Sequence, residues 1–126
     1  MDKVVKIDGK EVGFRATALT PRLYRHKIGR DIVQDISKLK RAFDKAVKAK
    51  ENPTEEDLED AQLSVMDLEI FENVAYIMAK QYDSSIPGTT DEWLDGFATF
   101  SIYEILPSIL ELWQFNNLTT AKPKKK

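Results

Sequence analysis

The 126-residue chain contains no cysteine and a single histidine. The first absence removes disulfides, thiolate nucleophiles and zinc–sulfur sites together. The second removes most histidine-based metal sites and leaves little for proton shuttling. No window approaches the roughly 18 consecutive apolar residues that a membrane helix needs. The opening Met1-Asp2-Lys3-Val4-Val5-Lys6 lacks the apolar stretch of a secretory signal. There are no internal repeats, and no low-complexity region apart from the terminal lysines. What is present is 42% apolar and 32% charged residues, too apolar for a disordered chain and enough for one core. The length suits a single domain. These features lead us to expect a small, soluble, cytoplasmic protein.

The net charge of −2 conceals a strong asymmetry. Residues 1–50 carry +8, residues 51–121 carry −14 with Lys80 as their single base, and Lys122-Pro123-Lys124-Lys125-Lys126 adds +4. Two oppositely charged halves can attract one another, or present a surface of one sign to a partner. A basic first half raises the question of nucleic acid. Single-strand platforms need aromatics interleaved with the bases, and these are missing here. The acidic segment would also repel phosphates within a Debye length of roughly 8–10 Å. Nucleic acid is therefore not expected as a partner.

The pattern predicts a mainly α protein, a small helical domain with one N-terminal β-hairpin, α+β by strict count. Asp8-Gly9 between Val4-Val5-Lys6-Ile7 and Val12-Gly13-Phe14 supplies the positive φ values of a tight type I′ turn. The hairpin spans about residues 3–16. It should pack through Val5, Ile7 or Phe14 on the helices, because two strands alone are marginal in water. Its open edge would allow self-association. Thr20-Pro21 reads as cap and first residue of a helix ending near Gly29. Asp31 can cap the next, whose Ile32, Ile36, Leu39, Phe43 and Ala46/Val47 form one stripe with Lys38, Arg41, Lys45 and Lys48 outside it. A central helix is expected from Thr54 to about Tyr82, with acids 55–60 in its first turns and Leu58, Ala61, Val65 and Leu68 continuing the apolar stripe. Thr89 with Glu92, and Ser101 with Glu104, suggest capping boxes. The first opens a helix carrying Trp93, Leu94, Phe97 and Phe100. The second opens a last helix with a kink or restart at Pro107. The domain spans 1–117, with a disordered basic tail over 118–126.

Nothing in this pattern assembles a reaction centre. His26 stands among Arg22, Arg25, Lys27 and Arg30 with no nucleophile at motif spacing, and reads as a surface residue. The acids at 55–60 lack the spacing of a calcium loop, and Gly9-Lys10 lacks the glycine that a phosphate loop requires. We therefore expect no enzyme, no catalytic or cofactor-binding residue and no metal site. Nine of the twelve aromatics lie between Phe71 and Phe115. Most should pack in the core, and the remainder would form an exposed apolar patch for a protein partner. Trp113, Phe115 and Trp93 are its candidates.

The order of these motifs resembles the tail assembly chaperones of long-tailed (siphophage-type) bacteriophages and prophages. The similarity runs through Val5-Lys6-Ile7-Asp8-Gly9-Lys10-Glu11-Val12, Phe14-Arg15-Ala16-Thr17, Pro21-Arg22-Leu23-Tyr24-Arg25 and Gly29-Arg30-Asp31-Ile32. It continues through Phe71-Glu72-Asn73-Val74-Ala75-Tyr76-Ile77-Met78-Ala79-Lys80, Glu92-Trp93-Leu94-Asp95, Ile102-Tyr103-Glu104-Ile105-Leu106-Pro107 and Leu112-Trp113, covering about residues 4–115. The resemblance implies a non-catalytic protein of the host bacterial cytoplasm that binds and solubilises the tape measure protein and is absent from the mature virion. It also implies a longer form, made by programmed frameshift near Lys124–Lys126, that recruits the tail tube protein. Set against it is a small helical regulatory or nucleic-acid-associated protein using the basic N-terminal half.

Overall fold

The computed structural model describes residues 1–51 and 63–120, with side chains except at 49–51 and 115–120. A two-stranded antiparallel sheet, β1 (Asp2–Ile7) and β2 (Lys10–Arg15), precedes five helices among the described residues. These are α1 (Thr20–Ile28), α2 (Ile32–Glu51), α3 (Val65–Tyr82), α4 (Thr90–Leu94) and α5 (Ile102–Thr120). None of the described helices is long and apolar enough to cross a membrane. Asp8 and Gly9 close the hairpin with φ of 54° and 77°, the two positive values that Asp-Gly tolerates. Ile7 and Phe14 are buried and Val5 and Val12 pack beside them, so the hairpin gains from the helices the apolar burial it cannot supply alone.

Gly13 sits where the C-terminal end of α3 crosses the outer face of β2. A Cβ at this position would lie 2.1 Å from Cε2 of Tyr82, whose ring also carries the Arg15 guanidinium 5.5 Å from its centroid. Tyr82 is partly exposed and can swing away, so the cost of a side chain here is the lost ring contact rather than a broken backbone. Gly13→Ala should destabilise by about 1 kcal/mol in the native background, in the range of modest packing losses. It should become neutral or stabilising in Tyr82→Ala, since glycine itself weakens a strand. A double-mutant cycle in urea that finds the two changes additive would refute the contact.

Gly29 ends α1 in the left-handed conformation at φ 81°, its N–H bonded to Arg25 O. The Asp31 carboxylate accepts from Val33 N–H at 2.9 Å and starts α2, whose stripe from Ile32 to Ala46 is buried as its spacing requires. Thr20 behaves differently from expectation. It is the first residue of α1 rather than its cap, and its hydroxyl donates to Gln81 and accepts from Thr17 N–H instead of capping the helix.

The central helix also starts elsewhere. Leu63 and Ser64 are not helical, so no single helix runs from Thr54 to Tyr82; Thr54, the acids 55–60, Leu58 and Ala61 lie outside the described residues. Ser64 and Asp67 form a reciprocal capping box that sets the start at Val65. Val65 and Leu68 fall in or beside this capped first turn and are exposed, Val65 to 82%, rather than continuing the core stripe. Deeper in α3, the six consecutive residues Val74 to Ala79 are all buried, because α1, α2, β2, α4 and α5 surround the helix.

The C-terminal third departs from expectation in three places. α4 ends at Leu94, and tight turns through Gly96 and Phe97 N–H leave Phe97 and Phe100 on the connection rather than on a helix. Thr89 caps α4 by accepting from Glu92 N–H, but neither Ser101 nor Glu104 makes a side-chain cap bond among the described residues; the Ser101 carbonyl takes the first N–H groups of α5 instead. α5 runs through Pro107 without a restart and past Asn116-Asn117 to Thr120, so Leu118 is helical rather than part of a tail. Residues 121–126 lie outside the described residues.

Candidate functional site

Two of the three candidate patch residues are not at the surface. Trp93 is 5% exposed and Trp113 9%, both in the core cluster. Trp93 is buried because the connection after α4 folds back over it. Its ring centroid lies 5.7 Å from Tyr76, 5.3 Å from Phe97 and 5.2 Å from Phe100, in tilted and edge-on geometries that aromatic rings favour. Trp113 lies on α5, which packs on β1 and α3. The side chain of Phe115 lies outside those described. His26 is exposed on α1, as expected.

Some apolar surface is found between α1 and α3. There a groove of about 290 Å³ is lined by Leu23 and Lys27 of α1, Tyr76, Ile77, Lys80 and Gln81 of α3, and Ser84 beyond it. Leu23 and Ile77 supply its apolar wall. The two lysines contribute their alkyl stems while their ammonium groups are turned outward and tied down. Lys80 Nζ donates to the carbonyls of Ser84 and Ile86 at 2.8 and 2.7 Å, and Lys27 Nζ to Gly88 O at 2.6 Å. The Tyr76 hydroxyl donates to Pro87 O at 2.6 Å, and its ionisation is pushed upward chiefly by burial and then by Glu92. This surface is therefore a preformed apolar slot with a cationic rim.

Two polar networks tie α1 to its neighbours. Towards α3 the Thr20 hydroxyl donates to Gln81 Oε1 at 2.6 Å, while Gln81 Nε2 donates to Thr17 Oγ1 at 2.6 Å. Towards α2, Asp35 is buried, accepting from the Tyr24 hydroxyl at 2.8 Å and from Arg30 Nε and Nη2 at 2.8 Å each. The Arg30 guanidinium holds the Asp35 carboxyl below the usual carboxylate range against the opposing effect of burial. Burial, reinforced by Asp35, pushes the Tyr24 phenol well above its ordinary value. These groups orient α1 on α2. The shifts keep the Asp35 carboxylate ionised and the Tyr24 phenol neutral near neutral pH.

Among the described residues Lys3–Glu111 is the single ion pair that joins the basic and acidic halves, while Arg15–Asp2, Arg30–Asp35 and Lys40–Asp44 stay within the first half. No group of three or more His, Asp or Glu side chains among the described residues is arranged to hold a metal ion. Comparison of the chain with models of known protein families, with curated proteins and with solved structures finds no match.

Proposed function

We propose that this chain is a tail assembly chaperone of a long-tailed bacteriophage or prophage, acting in the cytoplasm of the bacterial host. In this reading it binds and solubilises the tape measure protein during tail morphogenesis and leaves before the virion is complete, with the tail tube protein as the partner of a frameshifted longer form. The ordered resemblance across residues 4–115 suggests the family. The observation that carries the mechanism is the preformed slot between α1 and α3. A tape measure protein exposes apolar helical stripes until the tube encloses it. A slot of this size accepts an apolar anchor from such a helix, as in other helix-in-groove interactions. The cationic rim of Lys27 and Lys80 favours acids flanking that anchor. The remaining acidic surface would keep the coated complex apart from its copies.

Co-expression with the cognate tape measure protein tests this reading, scored by the fraction of that partner left in solution. Leu23→Glu places a charge at the half-buried mouth of the slot and should abolish most of the solubilisation at little cost in melting temperature. His26→Ala, on the exposed face of the same helix, should change nothing. Failure of the native chain to keep the partner in solution would overturn the chaperone reading, whereas full activity of folded Leu23→Glu would overturn the slot as its site.

A further inference from the structure

The hairpin's register leaves β1 with a free edge. Met1 and Ala16 exchange both backbone bonds, the ammonium donating to Ala16 O at 3.1 Å and Ala16 N–H to Met1 O at 2.9 Å. Antiparallel pairs alternate between bonded and non-bonded. With Lys3 opposite Phe14, Val5 opposite Val12 and Ile7 opposite Lys10, the bonded positions of β1 are therefore the odd-numbered ones. The main-chain groups of Asp2, Val4 and Lys6 point away from β2. Among the described residues none hydrogen-bonds to the backbone of Val4 or Lys6 from that side. All three side chains are exposed, Val4 to 51%.

We propose that β1 pairs with the β1 strand of a second copy of this chain, antiparallel about a two-fold axis at Val4, to make a continuous four-stranded sheet. The edge is complementary to itself in this register. Val4 faces the partner's Val4, and Asp2 faces the partner's Lys6 on both sides of the axis. Within each hairpin Asp2 already pairs with Arg15, at 2.8 Å to Nε, and Lys6 stands opposite Glu11. One row across the joined sheet thus runs Arg15, Asp2, the partner's Lys6, the partner's Glu11, alternating in sign, and the axis repeats it. The row between runs from Gly13 through Val4 to the partner's Val4 and Gly13, with a Tyr82 ring over each glycine.

Other registers lose this match. A shift by two residues sets Asp2 or Lys6 against Val4. A shift by four sets Asp2 against Asp2 or Lys6 against Lys6, and like charges directly opposite are unfavourable. A shift by one turns outward-pointing backbone groups against inward-pointing ones. The favoured register satisfies about six backbone hydrogen bonds that the lone hairpin leaves to water. It uses none of the residues lining the slot between α1 and α3, so it stands or falls apart from the chaperone reading.

Sedimentation velocity from low micromolar to millimolar concentration should show a monomer–dimer equilibrium. Val4→Pro removes an outward N–H without touching the hairpin ladder, a change edge strands tolerate, and should leave a folded monomer. Lys6→Glu and Asp2→Lys each set like charges opposite one another twice, and each should weaken self-association by about tenfold or more. Mixed in equal amounts, the two variants should recover a dimer, because the acids of one then meet the lysines of the other. A native chain that stays monomeric at millimolar concentration, or a mixture that associates no better than its components, would overturn the proposal.

Discussion

Phe71→Ala is expected to lower the stability of this fold by about 3–5 kcal/mol, the range for removing a buried aromatic ring. Phe71 is 1% exposed, and its ring centroid lies 5.3 Å from that of Phe100. The space left by the ring cannot close easily. Its neighbours Ile70, Val74 and Ala75 belong to the same rigid helix and are themselves buried against other elements. Domains of this size are stable by only about 5–15 kcal/mol, so the variant should lose much of its margin. Urea denaturation measures it directly. A change under about 1 kcal/mol, typical of surface positions, would show that Phe71 is not held as described.

Trp113→Glu should have a still larger effect, and through folding rather than binding. The substitution removes a large buried ring and sets a carboxylate in its place, so we expect about 5 kcal/mol or more of destabilisation. Circular dichroism and partner solubilisation should then fail together. Native melting with loss of partner binding alone would instead mean that Trp113 is a surface contact. Leu23→Glu offers the contrast, since there the fold should survive while binding is lost.

Elements written in local chemistry are legible in the sequence. Asp8-Gly9 dictates its turn, Gly29 its helix end, and the steps of three and four from Ile32 to Phe43 dictate a buried face. The start of α3 was not legible in the same way, because Val65, Met66 and Leu68 extend the apolar run that follows. Only the capping box of Ser64 and Asp67 separates that exposed first turn from the core. The aromatic residues misled for a related reason. Whether Trp93 is covered depends on Phe97 and Phe100 in a connection whose path no periodicity encodes. The slot was invisible altogether, since Leu23 and Ile77 are 54 positions apart and meet only once α1 lies against α3.

The connection after α3 is held in an unusual manner for a loop. Lys27, Tyr76 and Lys80 reach out from the helices and grip it by the carbonyls of Ser84, Ile86, Pro87 and Gly88. A carbonyl is common to every amino acid, so this grip does not read the loop's side chains. Space beside Gly88 is open, with nothing within 4 Å of where a Cβ would stand. Position 88 can therefore carry other side chains while the three gripping residues hold the backbone. An affinity tag or a fluorescent reporter could be grafted at position 88 with these anchor points intact.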